Sequence, residues 1–178
     1  MALVGAVDGL PVEPMVLAGA TDLTGKPVTV ETSGHEATVL LFISHECPIA
    51  NRYAPEIGRI YGDYKDKGVQ FVRVYVGDQE LAEKFVAHGS EFGLKMSGII
   101  DYQRKVAKLV GARVTPEAAV FGRDGRLLYR GRIDNQNIEH GKIREGYRRD
   151  LRVALDEILA GKPVSMPTTS AIGCFIEF

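Results

Sequence analysis

A chain of 178 residues is one domain by length, large enough to bury about 70% of the surface its unfolded form exposes. With 45% hydrophobic residues, 25% charged residues and a formal net charge of −1, it is composed like an ordinary globular protein and offers no basic surface for nucleic acid or an anionic membrane. Two cysteines are too few for a disulfide framework or a structural zinc site, and no apolar run approaches the ~20 residues that span a bilayer.

The start, from Met1 to Asp8, has neither a basic region nor a long apolar stretch, so no signal peptide is visible. The chain as it stands reads as cytoplasmic, with the compartment left open. Residues 9–36 are rich in Gly, Pro and Thr and hold two short strand candidates, 15–17 and 27–31, around the turn Asp22-Leu23-Thr24-Gly25-Lys26. The run 38–44 predicts a strand buried on both faces. Cys47-Pro48 then opens a helix over 48–66, with Pro48 at the first helical position, where its missing N–H costs nothing. Ile49, Tyr53, Ile57, Ile60, Tyr61 and Tyr64 give that helix one apolar face, and Pro55 should bend it.

A second strand is predicted over 69–76, a helix over 79–92, a short strand at 99–100 and a short helix over 104–110. Strands 117–122 and 126–133 flank the hairpin signal Arg123-Asp124-Gly125. A last helix is predicted over 143–160, with Ile143, Tyr147, Leu151, Ala154, Leu155 and Ile158 as its stripe and Gly161 closing it. The division is a domain over 1–162 and a tail over 163–178 packed on it. In the tail Ile172, Cys174, Ile176 and Phe178 alternate with Gly173, Phe175 and Glu177, the period of a short strand docked by one face with Cys174 inward.

Cys47 carries the chemistry. At a helix N-terminus the unpaired amides and the dipole favour a thiolate, which is the reactive form of cysteine. The bland alternative is a buried structural cysteine at a strand end. His45 and Glu46 flank the thiol, and His45 reads as a surface residue. His35, His88 and His140 show no ligand spacing, so no metal and no cofactor is expected.

The segment Phe42-Ile43-Ser44-His45-Glu46-Cys47-Pro48-Ile49-Ala50 resembles the active-site segment of thioredoxin-fold redoxins, the group of peroxiredoxins and thiol-disulfide oxidoreductases. Pro55, eight residues after Cys47, matches the proline that kinks the thioredoxin active-site helix. Val114-Thr115-Pro116-Glu117 is similar to the Thr-cisPro step that faces the active-site cysteine. The resemblance runs from about residue 14 to 161. It implies an α/β thioredoxin-like fold: a central mixed sheet flanked by helices, an N-terminal hairpin and, here, a C-terminal tail strand.

Chemically the resemblance implies Cys47 as nucleophile and Thr115 and Pro116 as the loop whose backbone pairs with an extended partner. Ala50 stands where thioredoxins carry a second cysteine, so a resolving thiol must come from elsewhere. Similar redoxin-like sequences end in Gly-Cys-x-Ile, matching Gly173 to Ile176, which implies Cys174 as that thiol or as one end of a structural bridge. Ser44 fits the peroxiredoxin Thr/Ser three residues before the cysteine, but Leu40 replaces the proline of that motif. Arg132, or Arg130, would be the arginine that holds a peroxide. Three readings stay open: thiol-disulfide exchange, an antioxidant peroxidase of peroxiredoxin type, and a non-catalytic binding module. The implied partners are a protein thiol or disulfide, or a peroxide, with an external thiol reductant.

Overall fold

The structure, a computed structural model, describes residues 16–139 and 142–178. The expectations for residues 1–15 and for His140 lie outside them. In chain order the elements are β1 (Val16–Asp22), β2 (Pro27–Glu31), β3 (Ala37–Ile43), α1 (Pro48–Tyr64), β4 (Val69–Tyr75), α2 (Ala82–Glu91), β5 (Ser97–Ile100), α3 (Lys105–Val110), β6 (Val114–Thr115), β7 (Glu117–Gly122), β8 (Leu127–Gly131), β9 (Asn137–Glu139), β10 (Lys142–Ile143), α4 (Asp150–Leu159) and β11 (Cys174–Phe175). No helix among the described residues is long and apolar enough to cross a membrane.

The main sheet has the order β2-β1-β5-β4-β3-β7-β8. β3, β4 and β5 run parallel, while β7 and β8 close one side antiparallel and the β1–β2 hairpin closes the other. All seven residues of β3 are buried, so its run needs no polar face. Val39, Leu41 and Ile43 pack with Ile49, Ile57 and Ile60 of α1 and with Leu151 and Leu155 of α4. Leu40 and Phe42 pack on the opposite face with Val106, Ala107 and Val110 of α3. This is the mixed sheet with helices on both sides that the resemblance implied.

The last helix starts later than its stripe predicts. α4 begins at Asp150, and Ile143 is in β10 and exposed. Gly146 takes a left-handed φ of 63°. Asn135 and Arg148 then tie the segment to the loop after β8: Asn135 N donates to the Arg148 carbonyl at 3.0 Å, and Arg148 N donates to Asn135 Oδ1 at 2.5 Å. Those bonds take backbone groups that a helix over 143–149 would need.

The tail returns along β8. Arg130 N donates to the Pro167 carbonyl and Thr169 N to the Arg130 carbonyl, at 2.9 and 3.0 Å. It then forms β11, antiparallel to β6, with Cys174 opposite Thr115 and Phe175 opposite Val114. Ile172 and Cys174 pack against the α1 side of the core and Ile176 against the α3 side. Phe178, expected on the docked face, is exposed, its ring 5.8 Å from Lys108 Nζ.

Candidate active site

β3 ends at Ile43, and the chain turns through Ser44-His45-Glu46 to put Cys47 at the N-cap of α1. Ser44 shapes that turn: its hydroxyl accepts from Glu46 N and its carbonyl from Cys47 N, both at 3.3 Å. Pro48 has no amide to satisfy, so the next two amides serve the sulfurs. Ala50 N donates to Cys47 Sγ at 3.4 Å, and the Ile49 amide works to lower the Cys174 pKa. One helix N-terminus therefore holds both cysteines.

Cys47 is 1% exposed, and in the thiol state its Sγ donates to the Thr115 carbonyl at 3.0 Å. Burial works against its thiolate, but hydrogen bonds from the Cys174 thiol and the Ala50 amide outweigh it, and the pKa falls below the ordinary 9.0. Cys174 is pushed the other way, up to about 11, first by burial and then by its hydrogen bond to Cys47. Both thiols are free. Of two chemically equal side chains, one is made the stronger acid and the other the weaker.

The peptide bond between Thr115 and Pro116 is cis. The Thr115 hydroxyl is buried without a hydrogen-bond partner. A pocket of about 380 Å³ opens beside Cys47, with Ser44, His45, Asp78, Phe85, Arg104 and Phe175 among its walls. Among the described residues no three His, Cys, Asp or Glu side chains gather as a metal site.

The Redoxin family model matches residues 12–145. The chain belongs to the Redoxin family. This redoxin is 26% identical over 121 residues to a thiol-disulfide oxidoreductase ResA of Halalkalibacterium halodurans, an alignment spanning 66% of this chain and 67% of that protein. A relative of that name from Bacillus anthracis is spanned over only 61% of its length. An uncharacterized conserved protein of Geobacillus kaustophilus superposes with a TM-score of 0.78 at 31% identity, over 96% of this chain and 91% of that one. A secreted Mycobacterium tuberculosis disulfide oxidoreductase homologous to E. coli DsbE shares the fold, with a TM-score of 0.50 at 22% identity over 62% of this chain and 79% of that one.

Thr115 and Ser44 each hydrogen-bond Cys47 through a carbonyl, Pro116 follows Thr115 across the cis bond, and Arg132 is held elsewhere. Its guanidinium bonds Asp150 Oδ2 at 2.7 Å, and it is absent from the pocket walls. Asp150 is a buried carboxylate at the start of α4, and it draws the arginine toward that helix. Arg130 is likewise engaged, donating to the Gly111 carbonyl at 2.6 Å. His45, read as a surface residue, is largely covered, its ring edge-on to Phe85 at 5.3 Å.

Several residues at the site carried no sequence signal. Glu117 Oε2 accepts from Arg113 N at 2.8 Å and Val114 N at 3.3 Å and so holds the approach to β6. A relay also braces the turn. Asn51 Nδ2 donates to the His45 carbonyl at 3.2 Å, so its Oδ1 faces His88 and takes the Nε2 proton at 2.8 Å. The Tyr75 hydroxyl then donates to His88 Nδ1 at 2.8 Å. Burial lowers the His88 pKa to about 4, keeping the ring neutral as this relay requires.

Proposed function

We propose that this redoxin is a thiol-disulfide oxidoreductase in which Cys47 attacks and Cys174 resolves. The observation that carries this reading is the convergence of two free cysteines at the mouth of α1: Cys174 pairs opposite Thr115, whose carbonyl accepts from Cys47, and both line one pocket. The relatives named as thiol-disulfide oxidoreductases support the same chemistry.

The Cys47 thiolate attacks one sulfur of a substrate disulfide. A Cys47–substrate S–S bond forms, the substrate's S–S bond breaks, and its other sulfur leaves as a thiolate and takes up a proton. That step removes the Cys47 charge, one of the causes holding Cys174 protonated. Cys174 then loses its proton more readily and attacks Cys47 Sγ. The second substrate sulfur leaves with that proton, and a Cys47–Cys174 disulfide remains. Two electrons have passed from the protein thiols to the substrate, and an external dithiol returns them by the reverse exchange. The peroxidase alternative has less behind it, because Leu40 is buried in the core and both candidate arginines are bound elsewhere.

Non-reducing peptide mapping after treatment with a small disulfide tests the proposal. The expected product is one intramolecular Cys47–Cys174 bridge, with Cys174→Ser instead accumulating a mixed disulfide on Cys47. Two free thiols after that treatment, or adducts confined to Cys174, would overturn it.

A further inference from the structure

We infer that this redoxin exchanges with small-molecule disulfides and thiols, not with extended polypeptides, because its own tail already occupies the backbone edge that a polypeptide would pair with. The inference rests on the roles proposed for Cys47 and Cys174.

An extended partner adds to a strand edge through main-chain hydrogen bonds. Beside Cys47 that edge is β6, and β11 lies along it. The pairing continues past β11, with Ile176 N donating to the Arg113 carbonyl at 2.9 Å. Gly173 sits so close to the Thr115 carbonyl that a Cβ there would overlap it. Arg104 Nε fastens the far end, donating to the Glu177 carbonyl at 2.9 Å. The amides of Arg113 and Val114 are already taken by Glu117. A polypeptide could gain the edge only by stripping β11 from it, and that would carry Cys174 away from Cys47.

Among the described residues, Cys47 also borders a pocket of about 380 Å³ between the Ser44–Glu46 turn, Phe85 and Arg104. That volume suits a small molecule. A small disulfide entering there meets Cys47 with the tail in place, so its mixed disulfide forms next to the thiol that resolves it.

Single-turnover kinetics separate the alternatives. In Cys174→Ser, mixed-disulfide formation on Cys47 is timed by mass spectrometry with bis(2-hydroxyethyl) disulfide and with an unstructured peptide containing one disulfide. The small disulfide is expected to react at least tenfold faster, after scaling by the rates of both with a free thiol. Adding Gly173→Val, or separately Ile176→Pro, which removes the amide bonded to Arg113, should raise the scaled peptide rate at least tenfold relative to that of the small disulfide. Circular dichroism of both double variants establishes that the body is folded. Equal scaled rates in Cys174→Ser, or a peptide rate unmoved by both folded undocking variants, would overturn the inference while leaving the two-cysteine chemistry standing. No Cys47 adduct with either substrate would defeat that chemistry, and this inference with it.

Discussion

Cys47 is acidic because donors outnumber what burial takes away, and the strongest of those donors is another side chain. Removing it has a definite sign. Cys174→Ala deletes the thiol hydrogen bond but leaves the Ala50 amide, so the Cys47 pKa should rise, read as the midpoint of iodoacetamide alkylation against pH. An unchanged or lower midpoint would mean that the helix N-terminus alone sets the acidity. His88 carries a second pH dependence. Its pKa is about 4 in the folded protein against an ordinary 6.5, so between those values the unfolded chain binds more protons. The contribution to stability is complete above pH 6.5 and is lost as pH falls toward 4, up to about 3 kcal/mol in all. Urea unfolding at pH 7 and pH 5 should show the loss, and His88→Gln should flatten it. The network was not legible in the sequence, since Asn51, Tyr75 and His88 lie on three separate elements that meet only after folding. Cys47 was legible, because an N-cap followed by proline is a local pattern.

At the scale of elements, local patterns did well where one force decides. An apolar run marks β3, and a three-and-four-residue stripe marks α1. They misplaced the start of α4 because Ile143 and Tyr147 fit a helical stripe by spacing, while Gly146 and the Asn135–Arg148 bonds divert the chain. Arg132 is engaged away from the thiol for a related reason: strand position says which residues are near, but not which carboxylate a long side chain will find. Asp150 is fully enclosed and has Arg132 Nε at 2.7 Å and Arg148 Nε at 3.3 Å. Arg132→Ala leaves that carboxylate with one partner and should cost about 1–3 kcal/mol, less than a fully buried pair because Arg132 is itself partly exposed. The urea midpoint should drop while the alkylation pKa of Cys47 stays in place. A shifted thiol pKa at unchanged stability would instead return Arg132 to the reaction.

For the whole molecule the open matter is whether residues 163–178 are an appendage or part of the domain. The tail places Ile172 and Ile176 against opposite faces of the core, so it spans both layers. Its anchor is Thr169, whose hydroxyl accepts from Arg132 N at 3.0 Å and lies 2.8 Å from the Tyr129 hydroxyl. Gly131 makes room for that contact, since a Cβ there would overlap Thr169. We propose that tail and body unfold as one unit. Thr169→Val keeps the shape but leaves the Arg132 amide without its partner in a part-buried setting, which should cost about 1–3 kcal/mol. If the tail is integral, that loss appears in the global transition, with the tyrosine signal and the far-ultraviolet signal shifting together. If it is an appendage, the global midpoint holds and only the tail amides, such as Ile176, exchange faster with deuterium. The first outcome makes delivery of Cys174 to Cys47 a property of the fold, and the second would make it a local docking event.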